Sequence, residues 1–294
     1  MAMGRLHDCG FVWPSAAPCH AEGLTATLGT AGATQVRFLF GLPFALVFLA
    51  LVLAITQLPL PTLNPLMIAW TVTGAVAQTG GTALLLAVMQ QRSFVVTTAY
   101  VKTEPIQVAI FGLIFLGDPV TPALALAIVV ATGGVLIISW PQRSSAEIFS
   151  WKAAGLGLAS GALFAIAAIG FRGGIRALDS PNFLVGATTT LVLGLIVQVV
   201  TLSAYLIMAD RATLYAIARA WRPSLLAGFM GAFASQMWFL AFALETAAKV
   251  RTLALVEILF AQVVSRNLFK QSLASREAVG IALIIAGVVL LLNL

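Results

Sequence analysis

Residues 104–118 read EPIQVAIFGLIFLGD, and residues 257–271 read EILFAQVVSRNLFKQ. Both stretches begin with a glutamate, and the two glutamates lie 153 positions apart (257 − 104). The same offset, without a gap, carries Gly134-Val135 in TGGVLII onto Gly287-Val288 in IAGVVLL. Two apolar segments and the loop between them therefore repeat in register, which predicts a chain built from two similar halves.

The composition predicts that lipid surrounds most of this chain. Of its 294 residues, 61% are hydrophobic and only 9% are charged, and the mean hydropathy is +1.03. A soluble domain carries about 25% charged residues because its surface must be hydrated. Lipid permits only helices or closed barrels, and apolar runs of about 18 residues or more indicate helices. The sequence therefore predicts an all-α integral membrane protein.

Apolar segments of membrane-spanning length follow one another with short connections that contain proline, glycine and charged residues. We expect about nine transmembrane helices. They cover residues 33–55, 66–88, 94–116, 120–139, 153–171, 183–208, 224–243, 247–268 and 275–293.

The repeat divides the chain into three parts: a polar N-terminal tail at 1–28, a first half at 29–140 and a second half at 151–294. The offset of 153 would place the counterpart of helix 153–171 at positions 0–18, inside the tail. The first half therefore lacks a recognisable first helix. Two explanations stay open: a true nine-helix protein, or a start of the sequence that is not the original one.

Ionisable residues inside the spans are the candidates for function. A charge at the bilayer centre costs roughly 2.5–3.5 kcal/mol on insertion scales, and a glutamate is too short to reach the headgroups. Glu104 and Glu257 lie about ten residues into their spans. Such a carboxyl can exchange a proton or pair with a cation, or it can be fixed structurally by hydrogen bonds between helices. Lys102 and Arg37 lie nearer span ends and could reach the headgroups.

Polar and aromatic residues extend this candidate site. Tyr100, Glu104 and Gln107 share one helix face, because they are spaced at i, i+4 and i+7. Gln236 and Trp238 could line a cavity or simply pack, and Arg251 or Arg37 could pair with Glu257. The predicted substrate and coupling residues are Glu257, Glu104, Gln107, Tyr100, Arg37, Gln236, Trp238 and Arg251.

Other classes of function find no support in the sequence. Cys9, Cys19, His7 and His20 lack paired ligand spacing, so we expect no metal and no cofactor. No motif of a hydrolase, zinc protease or nucleotide-binding loop occurs, so no enzymatic activity is expected. The net charge of +6 is spread between apolar segments, which indicates membrane orientation and lipid contact rather than nucleic-acid binding.

The residues resemble the drug/metabolite transporter superfamily, of the ten-helix EamA type. The second half carries this resemblance in ALFAIAAIGFRGGIRAL at 162–178 and ASQMWFLAFALETAAKVRTLALVEILFAQVVS at 234–265. The first half carries it in LTATLGTAGATQVRFLFGLPFA at 24–45 and YVKTEPIQVAIFGLIFLGDPVTP at 100–122. The motifs are specific for the superfamily but not for a substrate.

The resemblance implies two five-helix inverted repeats around a central cavity that carries metabolites, here without the first helix. Glu104 and Glu257 fall where such proteins often carry a glutamate. The chain departs from the family pattern at Lys270-Gln271, where an acidic residue is usual, while the first half keeps Asp118.

These observations predict a multi-pass secondary transporter of small organic metabolites or drugs in the inner cell membrane, with coupling to protons as one option. The alternative is a non-transporting membrane protein: a truncated remnant or a partner subunit of a membrane complex. Self-association through the incomplete first half is a further expectation.

The orientation of the chain across the membrane stays open. The loops after 88, 139, 208 and 268 hold eight basic residues and the alternate loops hold four, which predicts an external C-terminus. The family resemblance implies a cytosolic one.

Overall fold

The computed structural model describes residues 16–91, 101–139, 151–260 and 275–294. In these ranges every regular element is helical, so the prediction of an all-α membrane protein is confirmed. The helices are α1 (Ala16–Thr56), α2 (Pro65–Gln91), α3 (Glu104–Phe111, continued by a π-helical turn Gly112–Leu116), α4 (Pro122–Ser139), α5 (Trp151–Leu178), α6 (Phe183–Ala209), α7 (Arg211–Arg219), α8 (Trp221–Leu244), α9 (Ala247–Leu253, continued by a 3₁₀ turn Ala254–Val256) and α10 (Ser275–Leu292).

Seven helices in the described ranges are long and apolar enough to cross a membrane. They match seven of the nine predicted spans. They are Thr34–Thr56, Pro65–Val88, Pro122–Ser139, Ala154–Leu178, Phe183–Ala209, Ser224–Leu244 and Ser275–Leu292. Of the other two predicted spans, 94–116 appears as the shorter apolar helix Glu104–Leu116, and 247–268 appears as α9 and its continuation to 260. The remainder of each lies partly or wholly outside the described residues.

Two boundaries differ from the prediction. The span expected to end at residue 171 continues to Leu178, and its added turns contain Arg172 and Arg176, whose charges are paired with Asp118. Helix α1 begins at Ala16, so residues 16–28 of the predicted tail are helical. The apolar part of α1 begins only at Thr34, and residues 1–15 lie outside the described ranges.

Helix α7 was not predicted. It lies between two spans, buries Ile217 against Val36 and Leu206, and exposes Tyr215. Asp210 caps its N-terminus by accepting hydrogen bonds from the amide and hydroxyl of Thr213, and these bonds hold the pKa of the Asp210 carboxyl below its usual value. One buried face and one exposed face are typical of a short helix lying at a membrane surface.

Glycines set the closest helix contacts, as expected in lipid, where association depends on backbone approach. A Cβ added to Gly170 of α5 would lie 2.7 Å from Gly74 of α2. A Cβ added to Gly228 of α8 would lie 2.5 Å from the backbone of Phe40 in α1. Helices α2 and α5, and likewise α1 and α8, therefore cross with their backbones nearly touching.

Helices α4 and α10 cross in a reciprocal manner. A Cβ on Gly134 would meet Gly280 and Ile284 at 2.6 Å and 2.9 Å, and a Cβ on Gly287 would meet Ala131 at 2.7 Å and the carbonyl of Ala127 at 2.9 Å. The offset of 153 relates Gly134 to Gly287, Ala127 to Gly280 and Ala131 to Ile284. Each of these two helices thus makes on the other the contact that it receives, as expected for two elements that a two-fold axis relates.

Candidate functional site

A charged cavity lies where α3 and α9 meet α8. Pro105 follows Glu104 at the start of α3, where the missing amide hydrogen of proline removes no bond that a first turn would make. The cavity has a volume of about 50 Å³. Its described lining consists of Lys102, Glu104, Pro105, Trp238, Arg251, Ala254, Leu255 and Glu257. Both glutamates singled out by the repeat therefore face one cavity.

Glu104 pairs with Arg251. Arg251 Nε lies 3.1 Å from Glu104 Oε1, and the two side chains are only 20% and 12% exposed. Neither atom has an aligned hydrogen-bond partner among the described residues, so this is a charge contact without the geometry of a hydrogen bond. The guanidinium Cζ also lies 4.4 Å from the ring centroid of Trp238, which is within cation–π range.

Glu257 pairs with Lys102, whose ammonium contacts Glu257 Oε1. The predicted pairing of Glu257 with Arg251 or Arg37 is wrong. The pattern of residues along one helix carries no information on a partner from a distant part of the chain, so Lys102 was not predicted as the partner of Glu257. Each glutamate is paired with a cation from the other of the two predicted halves, so the two ion pairs are reciprocal in sequence.

Several predicted site residues lie elsewhere. Gln107 packs against α5, where its Nε2 is 3.4 Å from the carbonyl of Leu158. Gln236 donates from Nε2 to Thr188 Oγ1 at 2.8 Å, between α8 and α6. Arg37 packs against Gly231 of α8. None of these three is among the described lining of the charged cavity. Tyr100 lies outside the described residues.

A second charged cluster, which the sequence analysis missed, ties the end of α3 to α5. Gly117 ends the π-helical turn with a φ of 65°, a conformation that favours glycine, and Asp118 follows it. Asp118 pairs with Arg172 and Arg176 of α5, each at 3.1 Å. Arg172 also donates to the carbonyls of Phe242 and Glu245. The i, i+4 arginines were the available signal, since such a pair shares one helix face.

Arg172 connects three helices at one end of the bundle. It satisfies carbonyl groups at the C-terminus of α8, which would otherwise lack partners, and its side chain is 12% exposed. Asp118 lies in the predicted first half and Arg172 in the predicted second half, so this cluster also links distant parts of the chain. Within the described ranges, no group of three or more His, Cys, Asp or Glu residues could hold a metal ion.

Known proteins resemble this chain in sequence and in fold. Residues 10–140 match the EamA-like transporter family. A solved structure titled "Crystal structure of protein" has a similar fold with a TM-score of 0.66 at 12% sequence identity, over 94% of this chain and 90% of that chain. No curated protein sequence is significantly similar to the chain. The helical membrane architecture agrees with this match, so residues 10–140 are similar in sequence to the EamA-like transporter family.

Proposed function

We propose that the protein is a secondary transporter of small organic metabolites, and that its substrate or a coupling proton binds at the charged cavity between the halves. The family is one of membrane transporters rather than enzymes. The observation that carries the proposal is the pair of reciprocal ion contacts, Glu104 with Arg251 and Glu257 with Lys102.

The energetics of these pairs favour exchange. Burying charge is costly, and an ion pair repays that cost only when its hydrogen bonds are complete. The contact between Glu104 and Arg251 lacks hydrogen-bond alignment, and the side chain of Glu257 is 56% exposed. A substrate that offers a better-fitting charge, or a proton that neutralises a carboxylate, can therefore take the place of a partner without losing a well-formed network.

The size of the cavity supports a closed state. Ligand pockets usually measure about 300–1,000 Å³, whereas this cavity holds about 50 Å³, room for water but not for a metabolite. Entry of a substrate therefore requires the halves to separate around this cavity, and the two ion pairs that line it are polar contacts that must open. Rocking of one repeat against the other is the usual mechanism of transporters built in this way.

The test is uptake by proteoliposomes that contain the purified protein. Because no substrate is assigned, the probe is a ¹⁴C-labelled small-molecule extract from cells grown on ¹⁴C-glucose. We expect retention of a specific labelled fraction above that in protein-free liposomes, followed by its identification by chromatography. Retention equal to that of protein-free liposomes, with the protein folded and inserted, would favour a non-transporting membrane protein.

A further inference from the structure

A second cavity lies between α1, α2 and α6, away from the charged one. It is a groove open to the surface of the bundle, because Ala83, Thr201 and Tyr205 in its wall are exposed, and its volume of about 450 Å³ lies within the range of about 300–1,000 Å³ that small-molecule sites occupy. No described residue lines both cavities. The proposed function does not use this space.

The wall of this cavity carries no charge among the described residues. Its apolar part comes from residues such as Ala83, Leu86 and Leu202, and its polar part from Thr34, Thr79, Thr201 and Tyr205. A charged ligand would lose its hydration here without gaining a counter-charge, which is costly. The lining therefore selects a neutral molecule with an apolar body.

The threonine hydroxyls decide which polar group such a molecule needs. Thr79 Oγ1 donates its hydrogen to the carbonyl of Ala75, and Thr201 Oγ1 donates to the carbonyl of Val197. Their donors are occupied within their own helices, so the oxygens can only accept further hydrogen bonds. The two threonines therefore present acceptors to the cavity.

A buried acceptor without a partner lies beside the same wall. Gln35 is fully buried, and its Nε2 donates to Ser203 Oγ at 2.7 Å, while its Oε1 has no partner among the described residues. Gln35 follows Thr34 directly, and Ser203 follows Leu202, both of which line the cavity. Gln35 is not itself among the lining residues, so its unpaired oxygen shows a polar region behind the wall and not a contact of a ligand.

We propose that this cavity is a binding site for a neutral amphiphile: a small organic molecule without formal charge, with an apolar body and at least one O–H or N–H donor. The threonine oxygens accept from the donor, and the aliphatic side chains pack on the body. A lipid acyl chain would fill the apolar part but would leave the acceptors unsatisfied.

The test uses two probes that differ by one methyl group. Tritiated 4-phenylphenol has an O–H donor, whereas tritiated 4-methoxybiphenyl has the same body and no donor. Equilibrium dialysis against protein in nanodiscs, corrected for partition into empty nanodiscs, should show saturable binding of the phenol, and binding a few-fold to about tenfold weaker for the ether.

Two kinds of variant localise the binding. Ala83→Phe fills the cavity and should abolish saturable binding, while Ala69→Phe places the same side chain at an exposed position of α2 outside the lining and should leave it unchanged. Thr79→Val and Thr201→Val keep nearly the same shape and remove an acceptor, so each should reduce the preference for the phenol. If Ala83→Phe does not fold, the two valine variants still test whether the probe binds at this site.

Three results would overturn the proposal: no saturable binding of the phenol, equal binding of phenol and ether, or undiminished binding in Ala83→Phe. Equal binding of both probes would indicate an apolar groove that lipid occupies. The assay measures binding without flux, so its failure is distinguishable from a failure of the transport proposal.

Discussion

Arg251 is the residue whose surroundings most directly link structure to chemistry. It lies between the face of Trp238 and the carboxylate of Glu104, and Phe242 is also near, with its ring centroid 5.7 Å from Cζ. Aromatic faces stabilise a cation but cannot neutralise it. The charge of Arg251 therefore depends on Glu104, or on a ligand that takes the place of that carboxylate.

Removal of the Glu104 charge should destabilise the protein. Glu104→Gln leaves Arg251 uncompensated in a cavity of low dielectric, and we expect a loss of about 1–3 kcal/mol in the free energy of unfolding, since Arg251 keeps its aromatic contact. The measurement is thermal unfolding in detergent. The matched control is Glu245→Gln, because the i, i+4 pair of Glu245 with Lys249 is more exposed and should contribute at most about 0.5 kcal/mol.

A double-mutant cycle separates the pair from other effects of these residues. Glu104→Gln combined with Arg251→Gln should cost clearly less than the sum of the two single changes, because the double variant leaves no uncompensated charge. Additive costs would mean that the two residues act independently, which contradicts the pairing.

At the residue scale the sequence located part of the charged cavity. Glu104 and Glu257 were found because a glutamate deep in a span is rare, and Trp238 and Arg251 join them there. Lys102 was not assigned to the site, because its partner lies 155 positions away and a single-helix pattern cannot identify such a partner. Gln107 was included because it shares a helix face with Glu104, and Gln236 because it could line a cavity, but the structure gives both of them contacts outside this cavity.

At the scale of elements, the hydropathy profile predicted the long helices but not the short ones. Seven spans follow the prediction, because each is a long apolar run. The surface helix α7 was missed, since it buries few residues and its stability depends on the cap at Asp210 and on packing against Val36 and Leu206. Tertiary contacts of this kind have no signature in a hydropathy profile.

Adjacent glycines in α4 test the reciprocal crossing with α10. Gly134→Ala should destabilise the protein by about 1–3 kcal/mol, because the new Cβ would lie 2.6 Å from the carbonyl of Gly280. Gly133→Ala is the control: its Cβ meets nothing within 4 Å, and alanine favours a helix by about 1 kcal/mol over glycine. The measurement is the melting temperature of each variant, which should be lower for Gly134→Ala than for Gly133→Ala. Equal melting temperatures would contradict the close crossing.

At the scale of the whole molecule, the distribution of paired charge bears on orientation. The four basic residues of the alternate loops, Arg172, Arg176, Lys249 and Arg251, all lie within helices and pair with carboxylates. Arg211, Arg219 and Arg222, by contrast, lie exposed at the end of the bundle that carries α7. Since basic residues flanking the spans determine orientation, we predict that α7 faces the cytosol.

Cysteine labelling in intact bacterial cells tests this orientation, in a background in which Cys9 and Cys19 are replaced by serine. Thr62 lies near the start of α2, where Asn64 bonds to Ala177 at the end of α5, while Ala218 lies in α7 beyond the opposite end of α6. A membrane-impermeant maleimide should label Thr62→Cys in intact cells and Ala218→Cys only after lysis. The reverse pattern would place α7 outside.

Transport through the charged cavity is most directly tested by the dependence of flux on Glu257. Proteoliposomes with an imposed pH gradient should accumulate the labelled substrate at a rate that changes with the gradient, because protonation of a carboxylate in the cavity releases its cationic partner. Glu257→Gln keeps the shape of the side chain and removes its charge, so the variant should fold but should lose the response to pH and at least about 90% of the flux, which corresponds to roughly 1.4 kcal/mol. Glu245→Gln should behave like the wild type. Unchanged, pH-dependent flux in Glu257→Gln would show that this glutamate is structural and would contradict transport through the charged cavity.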